Sequence, residues 1–173
     1  KEKGIHTCLD TSGIMFPKKH TGTDQISERE ISLTGISENM ASDRMEKTEQ
    51  LMSVTDLVML DIKHINDEEH QKLTGQSNSN ILAFAKYLDS IGKPVWIRHV
   101  VVPGITFDEK ELTELGLFLK TLHNVEKLEV LPYHSMGKIK YDNLGMDYVL
   151  KDTPQLTKAE AKEAENMIRA AMK

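Results

Sequence analysis

Five ionisable side chains close or interrupt apolar segments of this sequence, at places where a buried strand has no structural use for them. They are Asp10, Asp61, Lys63, Arg98 and His134. Lysine and arginine at such places can bind a carboxylate, and a lysine can also act as a nucleophile. In a (β/α) barrel the carboxyl ends of parallel strands converge on one face, where chemistry gathers. We therefore expect the five side chains to form one polar site for a small molecule.

Asp61 and Lys63 are two residues apart on a predicted strand, so their side chains share one face of it. A pair of this kind can be a plain ion pair at the edge of a sheet. Two charges at the end of a strongly apolar strand are costly without a partner. A lysine there can therefore also be a Schiff-base nucleophile or a carboxylate binder. The sequence leaves the structural and the functional interpretation equally open.

Arg98 lies within an apolar strand and shares a face with Trp96 and Val100. It can extend to the rim of the sheet as a structural residue, or bind a carboxylate or phosphate with its fork of donors. The two interpretations are evenly balanced. His99 points to the opposite face and is interpreted as a packing residue. His134 is a lone histidine, a type that is more often structural or solvated than functional.

Alternating strands and helices place these side chains. The predicted strands are Ile5–Asp10, Leu57–Lys63, Val95–Val102 and Lys127–Leu131. The predicted helices are Arg44–Met52, a short helix after Asn66, Ser79–Ile91, Asp108–Leu122 and a final helix from Thr157 to Met172. The order βαβαβαβα predicts an α/β fold with a parallel sheet and right-handed crossovers. Four strands cannot close an eight-stranded barrel, so we expect an incomplete barrel.

Capping signatures mark three of the predicted helix starts. They are Asn66 with Glu69, Thr106 with Glu109, and Thr157 with Glu160. The stretch from Pro17 to Asp43, in contrast, has no sustained helical or strand period. It is therefore interpreted as a long loop or a disordered insert, although structureless loops of this length are uncommon inside compact domains. We expect residues 1–173 to be one incomplete domain, with residues 17–43 as the insert.

Composition excludes several classes of protein. The 173 residues have a formal net charge of −5, which argues against a general nucleic-acid binder, since such proteins need a basic surface. No apolar run approaches the ~20 residues that span a bilayer. The single cysteine, Cys8, excludes an intrachain disulfide and any all-cysteine metal or iron–sulfur site built within this chain. We expect a cytoplasmic, monomeric protein without nucleic-acid or membrane partners.

Four segments resemble one known family in the right order along the chain. They are residues 6–13 (HTCLDTSG), 55–63 (TDLVMLDIK), 96–104 (WIRHVVVPG) and 124–134 (NVEKLEVLPYH). They are similar to the third to sixth strand motifs of the pyruvate formate-lyase activating enzymes, of the radical S-adenosylmethionine superfamily. A Gly137-Lys138 and Leu144-Gly145 loop follows in the same manner. The resemblance covers residues 4–16 and 44–173.

This resemblance implies a partial (β/α)6 barrel with a [4Fe–4S] cluster and S-adenosylmethionine at the carboxyl ends of its strands. The reduced cluster of that family cleaves the cofactor to a 5′-deoxyadenosyl radical and methionine. The radical then abstracts hydrogen from a glycine of the partner enzyme, pyruvate formate-lyase, and leaves a glycyl radical. An electron donor such as flavodoxin is the second partner that the resemblance implies.

The resemblance also implies residue roles. S-adenosylmethionine would contact Asp10, Lys63, Arg98, Val100 and His134. A monovalent cation beside the methionine carboxylate would be held by Asp10, Thr11, Met59 through its carbonyl, and Asp61. The assignment gives each charge a partner, since Lys63 and Arg98 suit a carboxylate and ribose hydroxyls and the aspartates suit a hard cation.

The sequence departs from the family in its cluster motif. The family's CxxxCxxC motif is absent from these residues, as is the glycine-rich segment that binds the cofactor's amino group. Cys8 lies inside a strand motif and is not a remnant of the cluster motif. We expect a fragment of about two-thirds of the enzyme, with no catalytic residue of its own and unable to ligate the cluster alone.

Two other functions stay open at this stage. One is a non-catalytic module that docks the glycyl-radical enzyme between the barrel and the carboxyl-terminal helices. The other is an unrelated lyase or aldolase with Lys63 as a Schiff-base nucleophile.

Overall fold

The strands of this protein form one parallel sheet in the order of the chain. A computed structural model describes residues 3–17 and 42–173. The strands are β1 (Cys8–Thr11), β2 (Leu57–Asp61), β3 (Val95–Val101) and β4 (Val125–Pro132). Each strand pairs in parallel with the next, and the sheet order is β1-β2-β3-β4. The predicted α/β fold with four parallel strands is therefore observed.

Helices connect these strands. Residues 42–54 form α1. The later helices are α2 (Asp67–Thr74), α3 (Ser79–Ser90), α4 (Glu109–Lys120), α5 (Lys138–Asn143) and α6 (Lys158–Ala171). A short 3₁₀ turn, Ser135–Gly137, precedes α5. The predicted loop after β4 is thus partly helical. In the described part of the chain, no helix is long and apolar enough to cross a membrane.

Side chains of the sheet alternate between a covered and an open face. In β3, Val95, Ile97, His99 and Val101 are buried, whereas Trp96, Arg98 and Val100 are only half-buried. The buried set joins one core with side chains of α3, α4 and α6. The most deeply buried members, no more than 1% exposed, include Val58, Leu60, Ile62, Ile81, Leu88, Ile97, Leu112, Leu115, Leu119 and Ile168. The charged residues of the strands lie on the open face.

Helix α6 packs closely on α4 at a glycine. A Cβ atom at Gly116 would lie 2.4 Å from the carbonyl oxygen of Ile168 and 2.6 Å from the Cβ of Ala171. The two helices can approach this closely only because residue 116 has no side chain. This contact fixes α6 over the covered face of the sheet, where it also contacts β4.

Two of the three predicted helix caps are confirmed. The Asn66 side chain accepts a hydrogen bond from the Glu69 amide, and Thr157 and Glu160 form a complete capping box. The third prediction is wrong, because Asp108 caps α4 by accepting from the Lys110 and Glu111 amides. The Thr106 hydroxyl is buried instead, where it donates to the Val100 carbonyl and accepts from the Val102 amide. A short aspartate directly before the helix displaced the threonine as cap.

Several predicted boundaries shift. β1 begins at Cys8 rather than Ile5, and β2 ends at Asp61, so Lys63 lies just beyond its strand. β4 starts at Val125 because the backbone pairs with β3 from Val95 onward. Of the predicted insert from Pro17 to Asp43, residues 18–41 lie outside the described residues. Its last two residues already belong to α1, which starts earlier than the predicted Arg44.

Candidate active site

Four of the five predicted site residues form one cluster of ion pairs on the open face of the sheet. Arg98 Nε lies 2.5 Å from Asp61 Oδ1, and Arg98 Nη2 lies 2.7 Å from Asp10 Oδ1. Lys63 Nζ lies 2.6 Å from Asp61 Oδ2. Asp61 thus gives one oxygen to each cation, and Arg98 joins two carboxylates. We call Asp10, Asp61, Lys63 and Arg98 the charged cluster.

Strand register brings the cluster together. Asp61 and Arg98 are direct partners in the β2–β3 pairing, and Asp10 is the partner of Met59 in the β1–β2 pairing. Partners in register point to the same face, and so do residues two apart on one strand. Asp10 and Asp61 therefore lie on the same side as Arg98, although 88 residues of sequence separate Asp10 from Arg98.

The cluster is electrically balanced, and its partners set its protonation. Burial alone would raise the pKa of Asp61, but the hydrogen bonds from Arg98 and Lys63 outweigh it and hold the pKa below its ordinary value of 3.8. The hydrogen bonds that Arg98 donates to Asp61 and Asp10 raise the pKa of Arg98 further above its already high value. Asp61 therefore accepts hydrogen bonds and Arg98 donates them at neutral pH.

The cluster opens to solvent and has donors to spare. The exposed fraction of the side chain is 15% for Asp61, 22% for Arg98, 38% for Lys63 and 55% for Asp10. The Lys63 ammonium has three N–H donors, and one of them reaches Asp61. A ligand with an anionic group can approach Lys63 and Arg98 from the open side. These donors suit carboxylate and hydroxyl acceptors.

Met59, Thr11 and Val100 lie on the same three strands as Asp61, Asp10 and Arg98. The Met59 sulfur lies 3.2 Å from Arg98 Nη1, and the Thr11 hydroxyl accepts from the Gly13 amide at 3.0 Å. Val100 follows Arg98 on the same face, and its carbonyl accepts from the Thr106 hydroxyl. The residues predicted to hold a monovalent cation are thus near one another, but the group that joins Asp10 and Asp61 in this structure is the Arg98 guanidinium.

His134 is the predicted site residue that the structure does not join to the cluster. It is exposed and precedes the 3₁₀ turn after β4. Among the described residues, no hydrogen bond or ion pair connects it to the other four. Its neighbour Tyr133 is buried, and the Tyr133 hydroxyl lies 2.8 Å from that of Tyr148. This bond, followed by burial, raises the pKa of Tyr148 to about 12 and ties the segment after β4 to the end of the strand.

An iron–sulfur cluster does not fit the donors of this chain. A [4Fe–4S] cluster is held by several cysteine thiolates, and the chain has one cysteine, Cys8, exposed on β1. Among the described residues, no group of three or more histidine, cysteine, aspartate or glutamate side chains could hold a metal ion. No step that uses the cluster can therefore be assigned to these residues.

Sequence reasoning missed part of the open face. Lys127 Nζ lies 4.5 Å from the centroid of the Trp96 ring and 2.9 Å from Glu129, which is the register partner of Arg98. A cleft of about 480 Å³ opens near the amino ends of the strands, with His6, Met59 and Trp96 among its lining residues. The alternation of β3 correctly placed Trp96 on the face of Arg98, but nothing in the sequence indicated its contact with Lys127.

The sequence of this chain is similar to the sequences of several known enzymes. The pyruvate formate-lyase-activating enzyme of Streptococcus mutans is 44% identical over 171 residues, which cover 97% of this chain and 56% of that protein. That of Staphylococcus epidermidis is 41% identical over 164 residues, which cover 95% of this chain and 57% of that protein. This chain is a homologue of the pyruvate formate-lyase-activating enzymes. No protein-family model matches it.

The activating-enzyme relatives are longer than this chain. The chain spans a little over half of their length, 56% and 57% in these two, which is less than the two-thirds that the sequence led us to expect. The similarity therefore extends over only part of each of these enzymes. The activity of the whole enzyme, its substrates and its partners belong to the proposals below.

A solved activating-enzyme domain shares the fold. The structure of a domain of a pyruvate-formate lyase-activating enzyme from Bacteroides vulgatus superposes with a TM-score of 0.66, at 18% identity, over 98% of this chain and 79% of that one. At this identity the likeness concerns the fold alone. It confirms the predicted α/β architecture, an incomplete TIM-type barrel with about four parallel strands. The single-domain assignment of residues 1–173 stays a prediction.

Proposed function

We propose that this chain supplies the S-adenosylmethionine-binding wall of an enzyme that activates pyruvate formate-lyase. The observation that carries the proposal is the charged cluster, in which Arg98 and Lys63 converge on Asp61 at the open face of the sheet. The relatives at 41–44% identity support the family context. The unused donors of Lys63 support binding of an anionic group at this place.

Residue roles in the proposal follow the predicted set. Lys63 and Arg98 donate to the methionine carboxylate and to ribose hydroxyls, because their donors match carboxylate and hydroxyl acceptors. Asp10, Val100 and His134 complete the contacts with the cofactor. A monovalent cation held by Asp10, Thr11, Met59 and Asp61 would share the two carboxylates with Arg98, so its binding requires the guanidinium to shift.

The finer function is the activation of pyruvate formate-lyase by formation of a glycyl radical. S-adenosylmethionine supplies the 5′-deoxyadenosyl group for hydrogen abstraction when it is reductively cleaved. The cleavage needs cluster ligands that these 173 residues lack, so we propose that the chain alone binds the cofactor without cleaving it. The remaining proposals are a flavodoxin-type electron donor, a monomeric state and a cytoplasmic location.

Isothermal titration of the chain with S-adenosylmethionine tests the proposal. We expect Lys63→Met to weaken binding by about tenfold or more, since a charge-assisted hydrogen bond contributes about 1.5–3 kcal/mol. The matched control is Lys110→Met, which removes an ammonium from the exposed side of α4. Equal affinities of the two variants, or no binding to the unmodified chain, would remove the cluster as the cofactor site.

An exposed apolar surface favours a second candidate function, docking of the partner enzyme without chemistry. Between β4 and α6, five apolar side chains are 56–88% exposed: Met136, Ile139, Leu144, Met146 and Val149. Clustered exposed apolar residues mark interaction sites. Co-precipitation with pyruvate formate-lyase, compared between the unmodified chain and a variant with Ile139→Ser and Leu144→Ser, tests it. Capture that depends on these two residues but not on Lys63 would favour the docking module, whereas capture by neither chain would remove it.

A further inference from the structure

Ile62, which lies between Asp61 and Lys63, is bonded to β3 through both its amide and its carbonyl. The Ile62 amide donates to the Arg98 carbonyl at 3.0 Å, and the Ile62 carbonyl lies 2.8 Å from Nδ1 of His99. The Ile62 side chain is fully buried. Because β2 ends at Asp61, these two bonds extend the contact with β3 by one residue. They fix the path of the backbone from Ile62 to Lys63 and so hold the Lys63 side chain near the Asp61 carboxylate.

The contact with Ile62 determines which ring nitrogen of neutral His99 carries the proton. A carbonyl oxygen can only accept, so the ring proton lies on Nδ1 and Nε2 has a free lone pair. His99 is 4% exposed, and its burial lowers the pKa of the imidazole to about 4. The ring is therefore neutral at neutral pH. His99 acts as a fixed donor to the backbone and as an acceptor on its far side.

A small cavity lies among the acceptors on that far side. It has a volume of about 10 Å³, and its lining includes His99, His64, Glu111 and Thr106. Nε2 of His99 and Oε2 of Glu111 are buried and have no hydrogen-bond partner among the described residues. The nearest ring nitrogen to Glu111 Oε2 in the other histidine is His64 Nδ1, at 3.6 Å, which is too long for a hydrogen bond. While His64 is neutral this nitrogen has no proton to give, because it accepts from the Asn66 amide and the ring Nε2 lies 3.3 Å from the Ile105 carbonyl.

The volume and the chemistry of this cavity match one water molecule. A cavity needs about 10–15 Å³ to hold a water, which then makes two to four hydrogen bonds. Water has two hydrogens, and the cavity presents two unpaired acceptors. One hydrogen bond to Glu111 and one to His99 Nε2 would satisfy both acceptors and keep the imidazole proton on Nδ1.

We propose that His99 is a positioning residue for Asp61 and Lys63, held in its Nδ1–H form by one buried water that bridges Nε2 to Glu111. The inference rests on the proposed function, since Asp61 and Lys63 belong to the cluster that binds S-adenosylmethionine there. His99 does not touch the cofactor. It acts through the Ile62 carbonyl, on the face of the sheet opposite to the cluster.

Titration of the Asp61 carboxyl by ¹³C NMR tests the positioning role without any ligand. In His99→Leu the donor to Ile62 is lost, Lys63 is released from Asp61, and the pKa of Asp61 rises toward its ordinary value. In His99→Asn the side-chain amide can still donate to the Ile62 carbonyl, so the pKa of Asp61 stays near that of the unmodified chain. Equal titration of Asp61 in both variants would overturn the proposal.

The chain offers a matched control in His70. This histidine is also buried, its Nδ1 lies 2.7 Å from the Gln76 carbonyl, and its Nε2 has no hydrogen-bond partner among the described residues. It lies in α2, outside the charged cluster. His70→Leu should lower stability without changing the titration of Asp61. A shift of Asp61 in His70→Leu as large as that in His99→Leu would mean that general loosening explains both.

Cofactor affinity separates this inference from the proposed function. We expect His99→Leu to weaken S-adenosylmethionine binding about tenfold and His99→Asn by less than about threefold, measured where all variants are folded. If the unmodified chain binds no S-adenosylmethionine while Asp61 titrates as predicted, the proposed function fails and the positioning role stands. If the unmodified chain binds and the two His99 variants weaken binding equally, the positioning role fails and the proposed function stands.

The water is tested by a high-resolution crystal structure and by ¹⁵N NMR of the His99 ring. We expect one ordered water within hydrogen-bond distance of Nε2 and Glu111, and a ring proton on Nδ1. A direct contact between His99 and Glu111, a metal ion in the cavity, or a proton on Nε2 would overturn this part of the proposal.

Discussion

Arg98 and Asp61 are direct partners across two parallel strands, and Arg98 Nε lies 2.5 Å from Asp61 Oδ1. The same guanidinium reaches Asp10 through Nη2, so one side chain links three strands on the open face of the sheet. The pair is mostly shielded from water, with 22% and 15% of the side chains exposed. Its geometry therefore contributes to stability as well as to any ligand contact.

Replacement of Arg98 by lysine should break this linkage. A lysine has no planar fork of donors, so it cannot reach Asp61 and Asp10 together as arginine does. We expect Arg98→Lys to lower the free energy of unfolding by about 1–3 kcal/mol, measured by urea denaturation. Arg44→Lys, at an exposed position of α1, serves as the control and should cost less than about 0.5 kcal/mol. Equal losses would show that the fork of Arg98 has no special role.

Acidification should destabilise the protein in a window set by His99. Its pKa falls from 6.5 to about 4 on folding, so the unfolded chain takes up a proton that the folded chain refuses. Above pH 6.5 His99 is neutral in both states and does not affect stability. As the pH falls from 6.5 toward 4, its protonation in the unfolded chain lowers the free energy of unfolding by up to about 3 kcal/mol. The nearby titratable groups are Asp61, Lys63 and His64, and Glu111 lines the same cavity. Asp61, whose pKa is lowered from 3.8, adds its own loss only below about pH 4.

Urea denaturation at several pH values between 7.5 and 4.5 measures this window. The slope of unfolding free energy against pH should be smaller in His99→Asn than in the unmodified chain. Thr121→Asn, at an exposed residue, removes no titratable group and is the control, which should keep the original slope. A slope that is unchanged in His99→Asn would contradict the assignment to His99.

Substitution of Gly116 should separate α4 from α6. The new Cβ of Gly116→Ala would overlap the Ile168 carbonyl, which is backbone and cannot move aside cheaply. We expect a loss of about 1–3 kcal/mol and a lower Tm in thermal denaturation. Gly137→Ala is a matched control, since its Cβ would meet nothing closer than the Tyr148 hydroxyl at 3.9 Å. A Gly116→Ala protein as stable as the control would mean that the helices are farther apart.

Thr106 should matter for stability through its hydroxyl rather than as a helix cap. The hydroxyl bridges the Val100 carbonyl and the Val102 amide at the end of β3, where the chain turns toward α4. Thr106→Val leaves both backbone groups unpaired, so we expect a loss of about 1–3 kcal/mol in urea denaturation. The control is Thr121→Val, which removes an exposed hydroxyl that donates to the Phe118 carbonyl. It should cost less than about 0.5 kcal/mol. A similar cost at both positions would refute the bridging role.

The sequence predicted the elements and most of the charged cluster because both follow from short-range rules. Alternation within a strand placed Arg98 and His99 on opposite faces, and the i, i+2 rule placed Lys63 beside Asp61. Polar residues at strand ends indicated the site before any contact was known. Homology to the activating enzymes then gave that site a chemical context.

Other features depend on contacts that sequence rules do not contain. Nothing local indicates that Arg98 pairs with Asp10, because the contact depends on the order and register of β1, β2 and β3. Thr106 matched a capping signature, but its hydroxyl is buried under the turn and Asp108 caps the helix. The partner of His99, the Ile62 carbonyl, is a backbone group that no side-chain pattern reveals.

The most direct test of cofactor binding at the charged cluster is a crystal structure of this chain with S-adenosylmethionine. We expect the methionine carboxylate within about 3.2 Å of the donors of Lys63 and Arg98 on the open face of the sheet. Cofactor density in the cleft beside His6 and Trp96, or none at saturating concentration, would contradict binding at the charged cluster.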